Sequence, residues 1–335
     1  QQGRYLYKHQ EFEFLGNHLI KTATGLLAAG RFFTGREAAR WETRARSILT
    51  TQYREQILPD GGHYERSPMY HLLVLMDLLD AINMCPYEDA WTREMKEHAR
   101  RVLRFAVECS DPDENIPLFN DSVLVQAPDR SAVLVYASDI LKSPLPPRTQ
   151  RSFALPDFGL FRLRHRDWEL WADGGRISPD FLPAHAHDDT GSIQAWLSGK
   201  SLLVDSGVYG YGGNPERRNY DRSAWAHNVL LLDGHGSCKC WKDFRVARRP
   251  HRVNARLDPD GKGLRIAHDG FHFLPGRPDY ERKIRLEEKD LIVTDTVRFR
   301  KPRPCEANLL WHLTPAARVS TPVREDGNWS VNVTL

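Results

Sequence analysis

Ser143-Pro144-Leu145-Pro146-Pro147-Arg148 divides this chain into two parts with different periodicities. Three prolines in so short a stretch neither continue a helix nor pair inside a sheet, so residues 143–150 read as a linker. Upstream, over residues 1–142, apolar residues recur at helical spacing. Phe12, Leu15, Leu19, Ile20, Thr22, Ala23, Leu26 and Leu27 precede Gly30. A second helical pattern runs from about 36 to 58 and stops at the turn Pro59-Asp60-Gly61-Gly62. A third, over 69–79, holds Leu72, Leu73, Leu75, Met76, Leu78 and Leu79 and is too apolar for a surface helix. A fourth, over about 89–109, carries acids early and Arg100, Arg101 and Arg104 late, as the helix dipole favours.

Downstream, over 151–335, the period shortens. Phe158–Arg164, Trp168–Ala172, Ser201–Asp205, Asn228–Asp233, Lys283–Leu286 and Leu291–Val297 read as short strands bounded by Gly, Asp and Asn turns. The expected fold class is α+β multidomain: paired helices forming part of an (α/α) toroid, then an antiparallel β-sandwich.

With 335 residues the chain can bury a core in each part, and a net charge of +3 carries no signature of nucleic-acid binding. Arginines cluster at Arg217-Arg218, Arg222 and from Lys242 to Arg252, either as a solvated face or as receptors for an anionic ligand. The five cysteines lack the spacing of a disulfide framework, and Cys238-Lys239-Cys240 has no second pair nearby to complete a soft-metal site. No apolar run approaches the ~20 residues of a membrane span, and no signal peptide opens the chain. The sequence begins and ends mid-pattern, so a fragment or processed form is expected, and oligomeric state is left open.

Three clusters carry chemistry. His185-Ala186-His187, Asp205 and His227 are metal-type ligands at strand ends. In a strand, residues i and i+2 share a face about 6.6–6.8 Å apart, so one imidazole can bind an ion while its neighbour faces a cleft. Three protein ligands suit zinc, with a fourth position open to water. A zinc catalyst, a zinc that shapes another catalyst, and three unrelated polar residues all stay open at this point. Asn17-His18 places poor helix formers inside a helical pattern. Glu65-Arg66-Ser67-Pro68-Met69-Tyr70 is an ionisable turn entering the apolar helix, with Ser67 as N-cap and Pro68 at the first helical position.

Together these clusters resemble the heparinase II/III-like polysaccharide lyases. The family's Asn-His pair resembles Asn17-His18, its loop and tyrosine resemble Glu65 to Tyr70, and its sandwich signature resembles His185–Asp189, Val204–Gly207 and Ala226–Asn228. The resemblance implies Tyr70 and His185 as an acid–base pair, and Asn17 and His18 as donors to a substrate carboxyl group. It further implies Glu65, Arg218 and Arg222 at an acidic polysaccharide, and a structural zinc on His187, Asp205 and His227. A periplasmic or cell-envelope location follows from the same source, with the cytoplasm as alternative.

Two departures stand out. Asp188 replaces the family's usual alanine, and Trp225 stands among residues that are usually small. Family members carry more toroid helices upstream and more strands downstream than this chain, in keeping with the expected truncation.

The implied reaction is β-elimination in a uronic-acid glycan. Donors neutralise the carboxylate beside the C5 proton, one side chain removes that proton, and one protonates the leaving oxygen. A zinc hydrolase using Asp188 or Asp189 as base is one competitor. A non-catalytic glycan-binding or polysaccharide-biosynthesis accessory protein is the other.

Overall fold

The computed structural model describes residues 1–126, 128–325, 328–330 and 333–334. Helix α1 (Gln2–Lys8) precedes α2 (Gly16–Phe32) and α3 (Arg36–Gln56), which pack along each other. Helices α4 (Pro68–Asn83), α5 (Ala90–Glu108) and α6 (Arg130–Leu141) complete this region. Local chemistry sets their starts. Ser67 Oγ accepts the Tyr70 amide at 3.2 Å with Pro68 following it, and Asp89 Oδ1 accepts the Thr92 amide at 2.8 Å. Leu72, Leu75, Leu78 and Leu79 of α4 are at most 2% exposed at the centre of the helical core.

The first long helix starts later than the periodicity predicts. Leu15 and Gly16 both have φ 58, a left-handed backbone that breaks the pattern beginning at Phe12. Asn17 and His18 therefore lie in the first turn of α2 rather than inside a helix.

The second part opens with a five-stranded antiparallel meander: β1 (Phe153–Leu155), β2 (Leu160–His165), β3 (Trp168–Asp173), β4 (Ile193–Leu197) and β5 (Lys200–Leu203). Helix α7 (Pro215–Asp221), strand β6 (Leu230–Leu232) and the hairpin β7 (Cys240–Trp241) and β8 (Arg245–Val246) follow. A second antiparallel sheet contains β9 (Val253–Leu257), β10 (Gly263–His268), β11 (Asp279–Leu286) and β12 (Leu291–Arg298), in the order β12-β11-β10-β9. β13 (Ala307–Leu309) pairs with β6.

The two larger sheets enclose a core in which Leu163, Leu170 and Ile193 meet Leu264, Ile266 and Ile284. The opposite face of the first sheet packs on the helices, where Leu160 and Trp171 join Phe105 and Phe119. A sheet covered on both faces loses the alternation of a half-exposed one, which explains why all six residues of β3 are buried. Polar bonds fasten the same junction. Phe158 donates its amide to Asp60 Oδ2 at 2.7 Å, and Trp171 Nε1 donates to Ser110 O at 3.0 Å. Among the described residues, no helix is long and apolar enough to cross a membrane.

Candidate active site

His185 lies where α4 and the segment after α5 meet the loop entering β4. It occupies a turn rather than the strand expected for it, yet His185 and His187 converge on one carboxylate. That carboxylate is Asp121. His185 Nδ1 stands 2.8 Å from Asp121 Oδ2, and His187 Nε2 2.8 Å from Asp121 Oδ1. Arg218 completes the arrangement with a two-pronged contact, its Nη2 2.7 Å from Oδ2 and its Nη1 on Oδ1. Burial alone would favour the neutral acid, but donors from His185, His187 and Arg218 hold Asp121 well below the usual carboxylate range.

On its other side, His185 Nε2 is 3.1 Å from Glu65 Oε2. The Tyr70 ring stacks against the imidazole, with centroids 3.8 Å apart and planes inclined by 26°. Burial opposes a charge on His185, yet the hydrogen bonds to Asp121 and Glu65 outweigh it and lift the imidazole to about 9. Burial also pushes the Tyr70 phenol up to about 12. The imidazole and the phenol thus share one ring contact between the helices and the sandwich.

His187, Asp189 and His227 form a second, drier cluster, with one donor atom from each lying within 4.8 Å of the others. His187 Nδ1, His227 Nε2 and Asp189 Oδ1 are buried without a hydrogen-bond partner. Their other polar atoms are occupied: His187 Nε2 by Asp121, His227 Nδ1 by Asp205 at 2.8 Å, and Asp189 Oδ2 by the Asn120 amide at 2.9 Å. Leaving a buried polar atom unpaired costs about 1–3 kcal/mol, and three such atoms left over together suit a shared cation. Burial keeps His187 below its ordinary pKa, in the neutral form a metal ligand needs. Burial disfavours charge on His227 too, but Asp205 outweighs it and raises the imidazole to about 9. These residues fit a metal ion. The expected ligand set held Asp205; the structure places Asp205 behind His227 and brings Asp189 into the group of open donor atoms.

The remaining expected residues are distributed around this centre. Asn17 gives its amide to Glu65 Oε1 at 2.8 Å, and its own Oδ1 is buried without a partner. Gly16 makes that approach feasible, because at φ +58 a Cβ there would collide with Glu65 Oε1 and Leu182. His18 is largely exposed, with Nδ1 3.6 Å from Glu11 Oε2. Glu65 is buried, one oxygen serving the start of α2 and the other His185. Arg218 and Arg222 are buried as well; Arg222 donates to Ala186 O at 3.0 Å and Lys242 O at 3.1 Å. Their guanidiniums are spent inside the protein rather than offered to an incoming chain. Asp188 points away from the cluster and accepts from Ser237 Oγ at 3.0 Å and the Cys238 amide at 2.8 Å.

Three residues of the centre are absent from the expected set. Asp121 and Asn120 come from an irregular stretch between α5 and α6, and Asn120 Oδ1 accepts the His187 amide at 3.0 Å. Their only sequence signal is a polar Asn-Asp-Ser run directly after Phe119. Tyr211 lies under the Arg218 guanidinium at 5.0 Å and has its ring 6.3 Å from that of His185.

Comparison with known proteins agrees with this architecture. Residues 147–334 match the family model described as "Heparinase II/III-like, C-terminal", and residues 1–141 match "Heparinase II/III N-terminus". A heparin-sulfate lyase of Bacteroides stercoris is 27% identical over 242 residues, covering 65% of this chain and 36% of that protein. One from Pedobacter heparinus is 26% identical over 258 residues, covering 70% of this chain and 38% of that protein. The solved structure of the heparinase III BT4657 gene product superposes with a TM-score of 0.73 at 20% identity, over 95% of this chain and 50% of that one. That likeness shows a shared fold of helices followed by antiparallel sheets. The chain spans between about a third and a half of the length of these relatives. With its two parts matched in order, the chain belongs to the heparinase II/III-like family.

Proposed function

We propose that this protein is a polysaccharide lyase that cleaves uronic-acid-containing glycans by β-elimination, with Tyr70 and His185 as its acid–base pair. The observation that carries the reading is the stacked contact between those two rings at the junction of the helices and the sandwich. Both can exchange protons, and they come from different parts of the fold, which supports a sugar site at that junction. The names of its relatives, heparin-sulfate lyases, support a glycosaminoglycan as substrate.

In the proposed reaction the C5 proton leaves to one side chain, the electrons form a C4–C5 double bond, and the C4–O4 bond breaks. The departing oxygen takes its proton from the other side chain. Such proton transfers are each worth roughly 10²–10⁴-fold. Asn17 and His18 border the same helix start and would donate to the uronate carboxyl group, stabilising charge as it develops on the enolate. Glu65 and Asp121 keep His185 oriented from both sides. A cation on His187, Asp189 and His227, with Asp205 and Asp121 behind the histidines, suits zinc. When bound, it would supply fixed positive charge that holds the loop carrying His185.

The test compares the chain with Tyr70→Phe on heparan sulfate, following ultraviolet absorbance from the new double bond. The parent should give product and the variant should lose at least about 10²-fold in rate, with folding intact. Equal rates would remove Tyr70 from the chemistry. Glycan binding with no product from either protein would favour the accessory reading.

A further inference from the structure

We propose that the β7–β8 hairpin and the facing segment 181–184 form a subsite for an anionic sugar unit flanking the one that reacts. The proposal rests on the lyase reading and adds to it where the rest of the chain is gripped.

A cleft of about 550 Å³ lies between residues 181–184 and 241–246, within the roughly 300–1,000 Å³ of small-ligand sites. It adjoins the reacting centre: Ala184 precedes His185, and the Phe244 ring is 6.5 Å from the His185 ring. Its exposed surface is aromatic. Phe181, Trp241 and Phe244 are 60%, 39% and 46% exposed. The C–H face of a pyranose can cover such rings while its polar substituents stay hydrated.

The charges point to an anion. Lys242 Nζ and the Arg245 guanidinium each lie 5.5 Å from the Trp241 ring centroid. Among the described residues neither has a carboxylate partner, whereas Arg217, Arg218, Arg249 and Arg252 nearby each have one. Asp243 is the single carboxylate of the lining, so the cleft keeps a net positive charge. Sulfate and carboxylate substituents are the chemistry such cations receive.

The hairpin tip is also built to hold its shape. Arg222 Nη1 donates to Lys242 O at 3.1 Å, and Arg218 Nε donates to Asp243 O at 3.1 Å. Both arginines are fully buried, and Arg218 is the one clamped to Asp121. The guanidiniums expected to meet the polyanion instead fix, from beneath, the hairpin whose own cations face outward. That rigid link sets the register between an anionic group on the hairpin and a neighbouring sugar at Tyr70 and His185.

The test uses Lys242→Ala/Arg245→Ala and Trp241→Ala, with Trp241→Phe as the conservative control. Calorimetric affinity is measured in a Tyr70→Phe background for a sulfated heparan oligosaccharide and for its unsulfated backbone. The double variant is expected to bind the sulfated probe at least ~10-fold more weakly, with less dependence on salt. In the parent background it should raise KM while kcat stays within about two-fold. Trp241→Ala should weaken binding and Trp241→Phe restore most of it. A loss confined to the sulfated probe assigns sulfate to the hairpin, and equal losses on both probes assign carboxylate; either supports the subsite. Unchanged affinity and KM in folded variants of a chain that still binds and cleaves would overturn the subsite alone. Failure of the unsubstituted chain to bind either probe would overturn the lyase reading and the subsite together.

Discussion

His185 and His187, one residue apart, bind opposite oxygens of a single buried carboxylate, Asp121, each at 2.8 Å. That shared partner separates their tasks. His185 has its second nitrogen on Glu65 and its ring face on Tyr70, while His187 has its second nitrogen free beside Asp189 and His227. One imidazole is committed to the Tyr70 side of Asp121 and the other to the side of Asp189 and His227.

Removing the hub should therefore damage both tasks at once. Asp121→Ala leaves His185, His187 and Arg218 buried without their common anion, and breaking such a buried pair costs about 3–5 kcal/mol. Urea denaturation should show a loss of that order. Asp121→Asn should retain more stability but still lose activity, because an amide cannot accept from all three donors.

Metal content should distinguish the roles of two aspartates. Asp189→Ala removes an open ligand atom and should abolish stoichiometric metal on elemental analysis. Asp205→Asn alters only the group that orients His227 and should weaken metal affinity by about 10–100-fold. Chelation should lower the melting temperature at least as much as it lowers activity. The opposite ranking of the two variants would restore Asp205 as the ligand and move Asp189 behind it.

Acid stability should track two buried histidines outside the reacting pair, His71 and His268. Burial lowers His71 to about 3 and His268 to about 4 from the ordinary 6.5. Below 6.5 the unfolded chain takes up protons at these rings that the folded chain refuses. Their contribution is thus fully present above pH 6.5 and is lost as pH falls towards 4. The slope is about 1.4 kcal/mol per pH unit for each ring. Denaturation between pH 7 and 4.5 should show this decline. His71→Phe, which can keep the contact with Phe105, should make it shallower by one ring's share.

The parts of this site that could be read from sequence are those whose signal is local. Ser67 before Pro68 announces the helix that carries Tyr70, because capping involves residues three apart, and the order of acids before arginines announces α5. The linker marks the change from helical to strand spacing without reference to anything distant. Asp121 had no such signal. It lies 64 residues before His185 and 97 before Arg218, and only the folded chain brings them together. The same limit applies to Asp189 and Asp205: both are carboxylates near strand ends, and which one faces the open nitrogens depends on how the β4 loop turns. Arg218 and Arg222 read as surface cations because arginine usually is one. Inside the protein Asp121 holds Arg218, and carbonyls of the hairpin accept from both. β3 also hid its place in the sheet, since a strand covered on both faces carries no alternation.

The central claim is that the glycan breaks by elimination at Tyr70 and His185, and mass spectrometry of the products tests it most directly. Cleavage of a defined heparan oligosaccharide should give two fragments whose masses sum to that of the parent, one bearing the C4–C5 double bond. Fragments summing to the parent plus one water would show hydrolysis and contradict the account.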